Sequence, residues 1–299
     1  MERNLSFELE PTKFLILYLM KYLLLLTTLM FAGFCFGDEA DLPSLEKYWT
    51  VTGLDAPESV VADTSKHFFY VSNVNGGGSD KDNNGYITTV SLSGEILKKR
   101  WLEGLNGPKG LAVSNGKLYV SDIDQLVIID TVTATISDRI NIEGAGFLND
   151  VAIDNDGNVL VSDSANSRIY SINAQHEVSI WMQDERFGGV NGLHVRDDDI
   201  LITTMSAGEL LSVRQKDQSI TGLAVGMTNA DGIAELKSGY LISSWPGQLH
   251  YVKANGSSQI LIDTSQQEQY MNDISRLDEL LLVPNWQPGS LTAYRINMQ

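Results

Sequence analysis

Past its first forty or so residues, the chain is a repeated alternation of short apolar runs, rich in Val, Ile, Leu and Tyr, with breaks of Asn, Asp, Gly and Ser. Apolar runs this short, bounded by turn formers, predict buried β-strands. No 3.6-residue period persists long enough there to predict a substantial helix. One pattern sets the spacing: a polar residue, a small or polar residue, then apolar residues. It occurs as Glu58-Ser59-Val60-Val61, Lys109-Gly110-Leu111-Ala112, Asn149-Asp150-Val151-Ala152, Asn191-Gly192-Leu193, Asp231-Gly232-Ile233-Ala234 and Asn272-Asp273-Ile274. The leading residues stand 51, 40, 42, 40 and 41 positions apart, the period of a repeat array.

Each motif is followed by a turn and a second apolar run, such as Lys117-Leu-Tyr-Val-Ser121, Asn158-Val-Leu-Val-Ser162, Asp199-Ile-Leu-Ile-Thr203 and Gly239-Tyr-Leu-Ile-Ser243. Third and fourth runs follow, as in Ser167-Arg-Ile-Tyr-Ser-Ile172 and Glu177-Val-Ser-Ile-Trp181. Four short antiparallel strands per repeat make one blade, so the fold class is all-β and the architecture a six-bladed β-propeller. The sixth repeat runs out after its third strand, Ser290-Leu-Thr-Ala-Tyr-Arg-Ile296. The segment Glu46-Lys-Tyr-Trp-Thr-Val-Thr-Gly53, ahead of the first motif, reads as a fourth strand. The N-terminal strand is therefore expected to complete the last blade, which hides two sheet edges. Residues 38–299 are expected to form this one domain.

The residues ahead of it read differently. Met20-Lys21-Tyr22, an apolar run over 23–32 and small residues around Gly37 have the layout of a secretory signal, with cleavage expected after Gly37. Residues 1–37 are thus taken as a signal peptide, the alternative being an uncleaved membrane anchor over Phe14 to Phe36. Residues 1–19 carry Glu2, Glu8 and Glu10, which do not fit a positive leader, and Met20 is the expected initiator. The product is expected to be exported, to the periplasm or outside the cell, with no stable membrane insertion after cleavage. Cleavage also removes Cys35, the single cysteine, so neither a disulfide nor a cysteine zinc site is available.

Charge narrows the partners. Against 21 Lys and Arg stand 38 Asp and Glu, a formal charge of -17, so nothing drives a non-specific grip on phosphate backbones and no nucleic-acid partner is expected. The six leading residues, Glu58, Lys109, Asn149, Asn191, Asp231 and Asn272, stand at equivalent places in consecutive blades and should converge on one mouth of the central channel. Carboxylate and amide oxygens without thiols or imidazoles suit a hard cation; Ca²⁺ takes 6 to 8 oxygens in flexible geometry. The same residues can equally close turns through hydrogen bonds to the backbone. Lys109 is the awkward member: it points aside, pairs with a substrate oxyanion, or takes the place of the metal between Glu58 and Asp231.

Taken with Asp156-Gly157-Asn158-Val159-Leu160-Val161-Ser162-Asp163, these motifs resemble the gluconolactonase, senescence marker protein and luciferin-regenerating enzyme family. They also resemble its six-bladed relatives, diisopropyl fluorophosphatase and the paraoxonases, and the likeness runs from Glu46 to Ile296. It implies that Glu58, Asn149, Asn191 and Asp231 hold a divalent cation, Ca²⁺ first, with Zn²⁺, Mg²⁺ or Mn²⁺ as alternatives. It further implies metal-assisted hydrolysis of a small-molecule lactone or ester, with the ion as Lewis acid. Asp231 is then the expected base toward water, Lys109 a stabiliser of the leaving oxygen or product carboxylate, and Asn272 a substrate contact. None of His67, His176, His194 and His250 falls in the column, and no G-x-S-x-G elbow occurs.

Two further features frame the mouth. Asn75-Gly-Gly-Gly-Ser-Asp80-Lys-Asp82-Asn-Asn84-Gly85 imitates the start of a Ca²⁺ loop but has Ser91 where the bidentate Glu belongs, so it reads as an Asx-rich loop able to cover the channel. Trp245 and Trp286 occupy corresponding loops of the fifth and sixth blades, where they either wall a binding site or pack. The alternative function is a non-catalytic propeller serving as a ligand-binding or protein-interaction module. Substrate identity and oligomeric state are left open.

Overall fold

A computed structural model describes residues 42–298. The expected signal peptide, its cleavage point and Cys35 lie outside the described residues. Blade one is β2 (Pro57–Asp63), β3 (Phe68–Asn73), β4 (Gly85–Ser91) and β5 (Ile96–Leu105); blade two is β6 (Pro108–Ser114), β7 (Lys117–Asp122), β8 (Gln125–Asp130) and β9 (Thr135–Asn141). Blade three comprises β10 (Leu148–Ile153), β11 (Val159–Asp163), β12 (Arg168–Ile172) and β13 (Val178–Gln183). Blade four comprises β14 (Val190–Val195), β15 (Asp199–Thr204), β16 (Glu209–Arg214) and β17 (Ile220–Ala224). Blade five comprises β18 (Ala230–Leu236), β19 (Gly239–Ser244), β20 (Gln248–Lys253) and β21 (Ser258–Asp263). Together with the last blade, these make the six-bladed propeller. The helical content among the described residues is one 3₁₀ turn, Glu185–Phe187.

The last blade departs from the others at its inner edge. Where a single inner strand is expected, it has two short pieces, β22 (Tyr270–Met271) and β23 (Ser275–Leu277), both paired with β24 (Leu280–Gln287). Asn272 lies in the gap and keeps its place by donating its backbone N–H to the Pro284 carbonyl. Outward follow β25 (Ser290–Asn297) and then β1 (Ser44–Thr52), antiparallel from Ser44↔Asn297 to Thr52↔Ser290. The N-terminal strand thus completes the blade as expected. Trp49 carries the closure across to blade one: its indole N–H donates to the Leu92 carbonyl at 3.2 Å and its ring packs on Phe69.

The core lies between blades. Val51, Leu54, Leu282 and Leu291 of the closing region join Val60, Phe69 and Val71 of blade one in one buried cluster, and comparable clusters fill the junctions of blades two with three and three with four. Faces buried on both sides explain why the second strands are almost continuously apolar.

The recurring motif has a local cause. In each of the first five blades the inner strand bulges at the motif: the pairing jumps from Pro57 to Val60, Pro108 to Leu111, Leu148 to Val151, Val190 to Leu193 and Ala230 to Ile233. Two residues there oppose one, which breaks the ladder and re-aims the extra side chain. The residue opposite is Ser or Thr, fully buried in every case: Ser72, Ser121, Ser162, Thr203, Ser243. In four blades its hydroxyl takes the N–H that the bulge frees, from Ser59, Asp150, Gly192 and Gly232 at 2.8–2.9 Å. In blade two the Ser121 hydroxyl instead reaches the Asn149 carbonyl of the next blade. The small residue of the motif is equally constrained: a Cβ on Gly192 would collide with the Asp231 carbonyl, and one on Gly232 with the Ile274 amide.

Replacing Ser162 by Ala should therefore orphan the buried Asp150 N–H and cost about 1–3 kcal/mol in urea unfolding, whereas Ser162→Thr, the residue blade four uses, should cost far less. Equal losses for the two would refute the hydroxyl's role.

Candidate functional site

Antiparallel pairing defines one end of the channel. Pro108 pairs with Asp122 and Ala230 with Ser244, so the motifs and the loops that follow each second strand lie at the same end. All six column residues are buried, with side chains 3–7% exposed. The strands are held there by groups just beyond the hydroxyls. Asp122 accepts the N–H groups of Asn106 and Gly107, and Asp163 those of Gly146 and Phe147, fixing the entry of the chain into β6 and β10.

Glu58 has no partner among the described residues for Oε2, a buried oxygen. Among the described residues no hydrogen bond engages the side chains of Asp231 or Asn191. Asn149 donates through Nδ2 to Ser164 Oγ at 3.4 Å, which leaves its side-chain oxygen Oδ1 uncommitted. Asn272 is committed: its Nδ2 donates to the Pro57 carbonyl at 3.0 Å, tying blade six to blade one.

Of the three placements open to Lys109, the structure has the ammonium turned aside. Nζ donates to the carbonyls of Gly78 at 2.7 Å and Gly107 at 3.2 Å and lies 4.4 Å from the centre of the Phe147 ring. Gly78 belongs to the Asx-rich loop, which reaches the column here. That loop is also pinned by Lys81 to Asp124 at 2.6 Å and by Asn83 N–H to the Asn106 side chain. It lies over the blade-two sector of the mouth.

Trp245 and Trp286 stand edge to face at 6.3 Å between ring centres, with Tyr270 5.4 Å from Trp245. All three are half-buried; Trp245 is in the loop after β19 as expected, whereas Trp286 lies in β24, not in a loop, beside Tyr270 of β22 and close to Asn272. The aromatics and the loop therefore border the mouth from different blades.

Electrostatics sharpen the picture. Burial pushes the carboxyl of Glu58 well above the usual range, and Asp231 and Asp273 add to the rise; burial and then Asp273 do the same to Asp231. Burial likewise pushes Asp150 well up and Asp273 up to about 6. Lys109 is pushed down by burial, against the pull of Glu58 and Asp122. Four carboxyls and one ammonium share this interior, and a buried charge is costly unless paired.

Asp150 and Asp273 were visible in the motifs, yet the sequence reading assigned them no role. They stand one position after the column, where three blades have Gly, and bond to the next blade: Asp150 accepts from Leu193 N–H at 2.7 Å and Asp273 from Ser59 Oγ at 2.6 Å. Their signal was the break in the Gly pattern. The recurrent Ser or Thr ending each second strand was a second unused signal.

A donor set of two carboxylates, one of them with an orphaned buried oxygen, and two uncommitted amide oxygens fits a hard cation. Among the described residues no three His, Cys, Asp or Glu side chains gather as a metal site by themselves, so such a site depends on the two amides. His250 is buried in β20 and His194 stands beside Glu235 at 3.4 Å, both away from the column.

No protein-family model and no curated protein matches the chain. Among solved structures it is similar to a streptogramin B lyase (TM-score 0.63, 12% identity, covering 87% of this chain and 100% of that one). It is similar also to virginiamycin B lyase from Staphylococcus aureus (TM-score 0.62, 11% identity, 85% and 99%), and to a catalytically inactive variant of that lyase with quinupristin (TM-score 0.60, 12% identity, 85% and 99%). At such identities the likeness is one of architecture, and what the chain shares with these enzymes is the β-propeller fold.

Proposed function

We propose that the protein is an exported, metal-dependent hydrolase of lactones or related esters, with its site at the motif end of the channel. The observation that carries this reading is the buried Glu58 carboxylate, one oxygen of which lacks a partner among the described residues, set in the same column as Asp231, Asn149 and Asn191. Export rests on the charged, apolar and small-residue pattern over residues 20–37.

Glu58, Asn149, Asn191 and Asp231 would hold a divalent cation, Ca²⁺ by the oxygen donors, which when bound supplies Lewis-acid polarisation of the substrate carbonyl. Asp231, whose carboxylate makes no hydrogen bond among the described residues, accepts the proton of the water that attacks the carbonyl carbon. The acyl C–O bond then breaks, and the departing alkoxide recovers that proton. Lys109 holds the loop at Gly78, while Trp245 and Trp286 offer an apolar wall to the ring of the substrate.

The test is hydrolysis of a panel of γ- and δ-lactones and aryl esters, with Ca²⁺ and with EDTA, by the unmutated protein and by Asp231→Asn. A lactone should be opened at a rate that falls at least about 100-fold in EDTA and in the variant. Stoichiometric cation binding with no turnover of any ester would leave a binding module; turnover indifferent to EDTA would sink the metal-dependent reading.

A further inference from the structure

The channel has a second chamber. On the far side of the motifs a cavity of about 650 Å³ opens at the opposite end of the propeller, lined by residues of all six blades. Its walls include Val60, Leu111, Val151, Leu193, Ile233 and Ile274, the first apolar residue of each motif, and its inner end carries Asp150 and Asp273. The volume is that of a small-molecule site.

We propose that this chamber binds a small organic cation, an alkylammonium whose apolar body lies along the wall and whose charged tip reaches Asp150 and Asp273. The geometry selects that class over its rivals. The four carboxylate oxygens each accept one protein hydrogen bond: Asp150 from Val151 and Leu193 N–H, Asp273 from Ile274 N–H and Ser59 Oγ. Each therefore retains acceptor capacity, and together they can serve an ammonium's three donors. A bare Ca²⁺ needs 6 to 8 oxygens, and walls of Val, Leu and Ile side chains add none. A neutral apolar molecule would leave the acidic end without a charge partner.

The surroundings reinforce the preference. Lys109, which feels Glu58, is spent on the Gly78 and Gly107 carbonyls, and the partnerless Glu58 oxygen adds to the negative charge beyond the inner end. At the open rim, Glu235 is already held by Arg196 at 3.1 Å, and Arg276 by the carbonyls of Glu235 and Asp278. Asp278 and Lys237 also line the cavity but are exposed to solvent at the rim, so the buried acidic groups that face a ligand are those at the inner end. This inference does not depend on the proposed hydrolase activity.

Calorimetric titration of the full chain, kept in EDTA so that the upper set stays metal-free, tests it with n-butylammonium chloride and, as a neutral match, n-butanol. One equivalent of butylammonium should bind at least about tenfold more tightly than butanol, as a charge-assisted hydrogen bond requires. Asp273→Asn should lose about tenfold, and Ile233→Trp, which fills the chamber, should abolish binding. Equal affinity for the two probes, binding of neither, or binding that survives both substitutions would overturn the proposal. The comparison of probes on the unmutated chain decides it even if a variant does not fold.

Discussion

Calcium should stabilise this protein more as the pH rises from about 5 to about 8, and Glu58→Gln with Asp231→Asn should melt higher than the unmutated chain in EDTA. The sign follows from burial. Glu58 and Asp231 have folded pKa values pushed well above their ordinary 4.5 and 3.8. In the metal-free state the folded chain then holds more protons than the unfolded chain, and stability falls as pH climbs from the ordinary value through the folded one. A cation removes that penalty by pairing with the ionised forms, so its benefit grows as protons leave. At 100 times its dissociation constant it adds about 2.7 kcal/mol, on the order of 5–10 °C in melting temperature for a domain of this size.

Groups outside the motifs do not confuse the reading. Asp55 and Asp199 are pushed down by Tyr86 and Lys99 hydrogen bonds in the first case and by Arg196 in the second, so their contribution changes below about pH 4. Burial pushes His194 and His250 down, which favours the folded state as pH rises toward the ordinary 6.5. Neither belongs to the column, so both cancel when melting with Ca²⁺ is compared with melting in EDTA at the same pH. A calcium shift that is flat with pH, or a double variant less stable than its parent in EDTA, would show that these carboxylates do not await a cation.

A chain that begins at residue 53 should lose cooperative unfolding and aggregate, and a peptide of residues 43–53 added in trans should restore a soluble monomer. Without β1 the backbone edge of β25 stands open over eight residues, an invitation to pair with another chain. The ring also loses Val51 from the cluster that joins last blade to first, and the Trp49 bridge to Leu92. Trp49→Ala alone, at a half-buried site, should cost about 2 kcal/mol or more in urea unfolding. Size-exclusion chromatography and circular dichroism read the truncation. A cooperative, monomeric truncated protein would mean that the clasp contributes nothing essential.

The architecture was legible because the repeat was. Buried strands are written as short apolar runs, and the six motifs recur at the length of one blade, so both the number of blades and the N-terminal strand that closes the ring follow from the period and its missing fourth strand. The divided inner strand of blade six was not legible: Asn272-Asp273-Ile274 looks like its counterparts, and the break comes from the Asn272 backbone bonding to Pro284. The column was legible as a set of equivalent positions but not as a set of environments. Asn149, Asn191 and Asn272 are the same residue in the same slot, yet Asn272 spends its amide on Pro57 while Asn191 has no side-chain partner.

By itself, then, the sequence determined the blade count, the closing strand and which side chains stand at equivalent positions, because all three depend on periodicity, which is a property of one dimension. Only the folded arrangement settled which way Lys109 points, that Asp150 and Asp273 face the chamber on the far side of the motifs, and that Glu58 Oε2 lacks a partner among the described residues. These depend on distances between neighbouring blades about forty residues apart in the chain, where a bulge of one residue and the reach of a single side chain settle whether two polar groups meet.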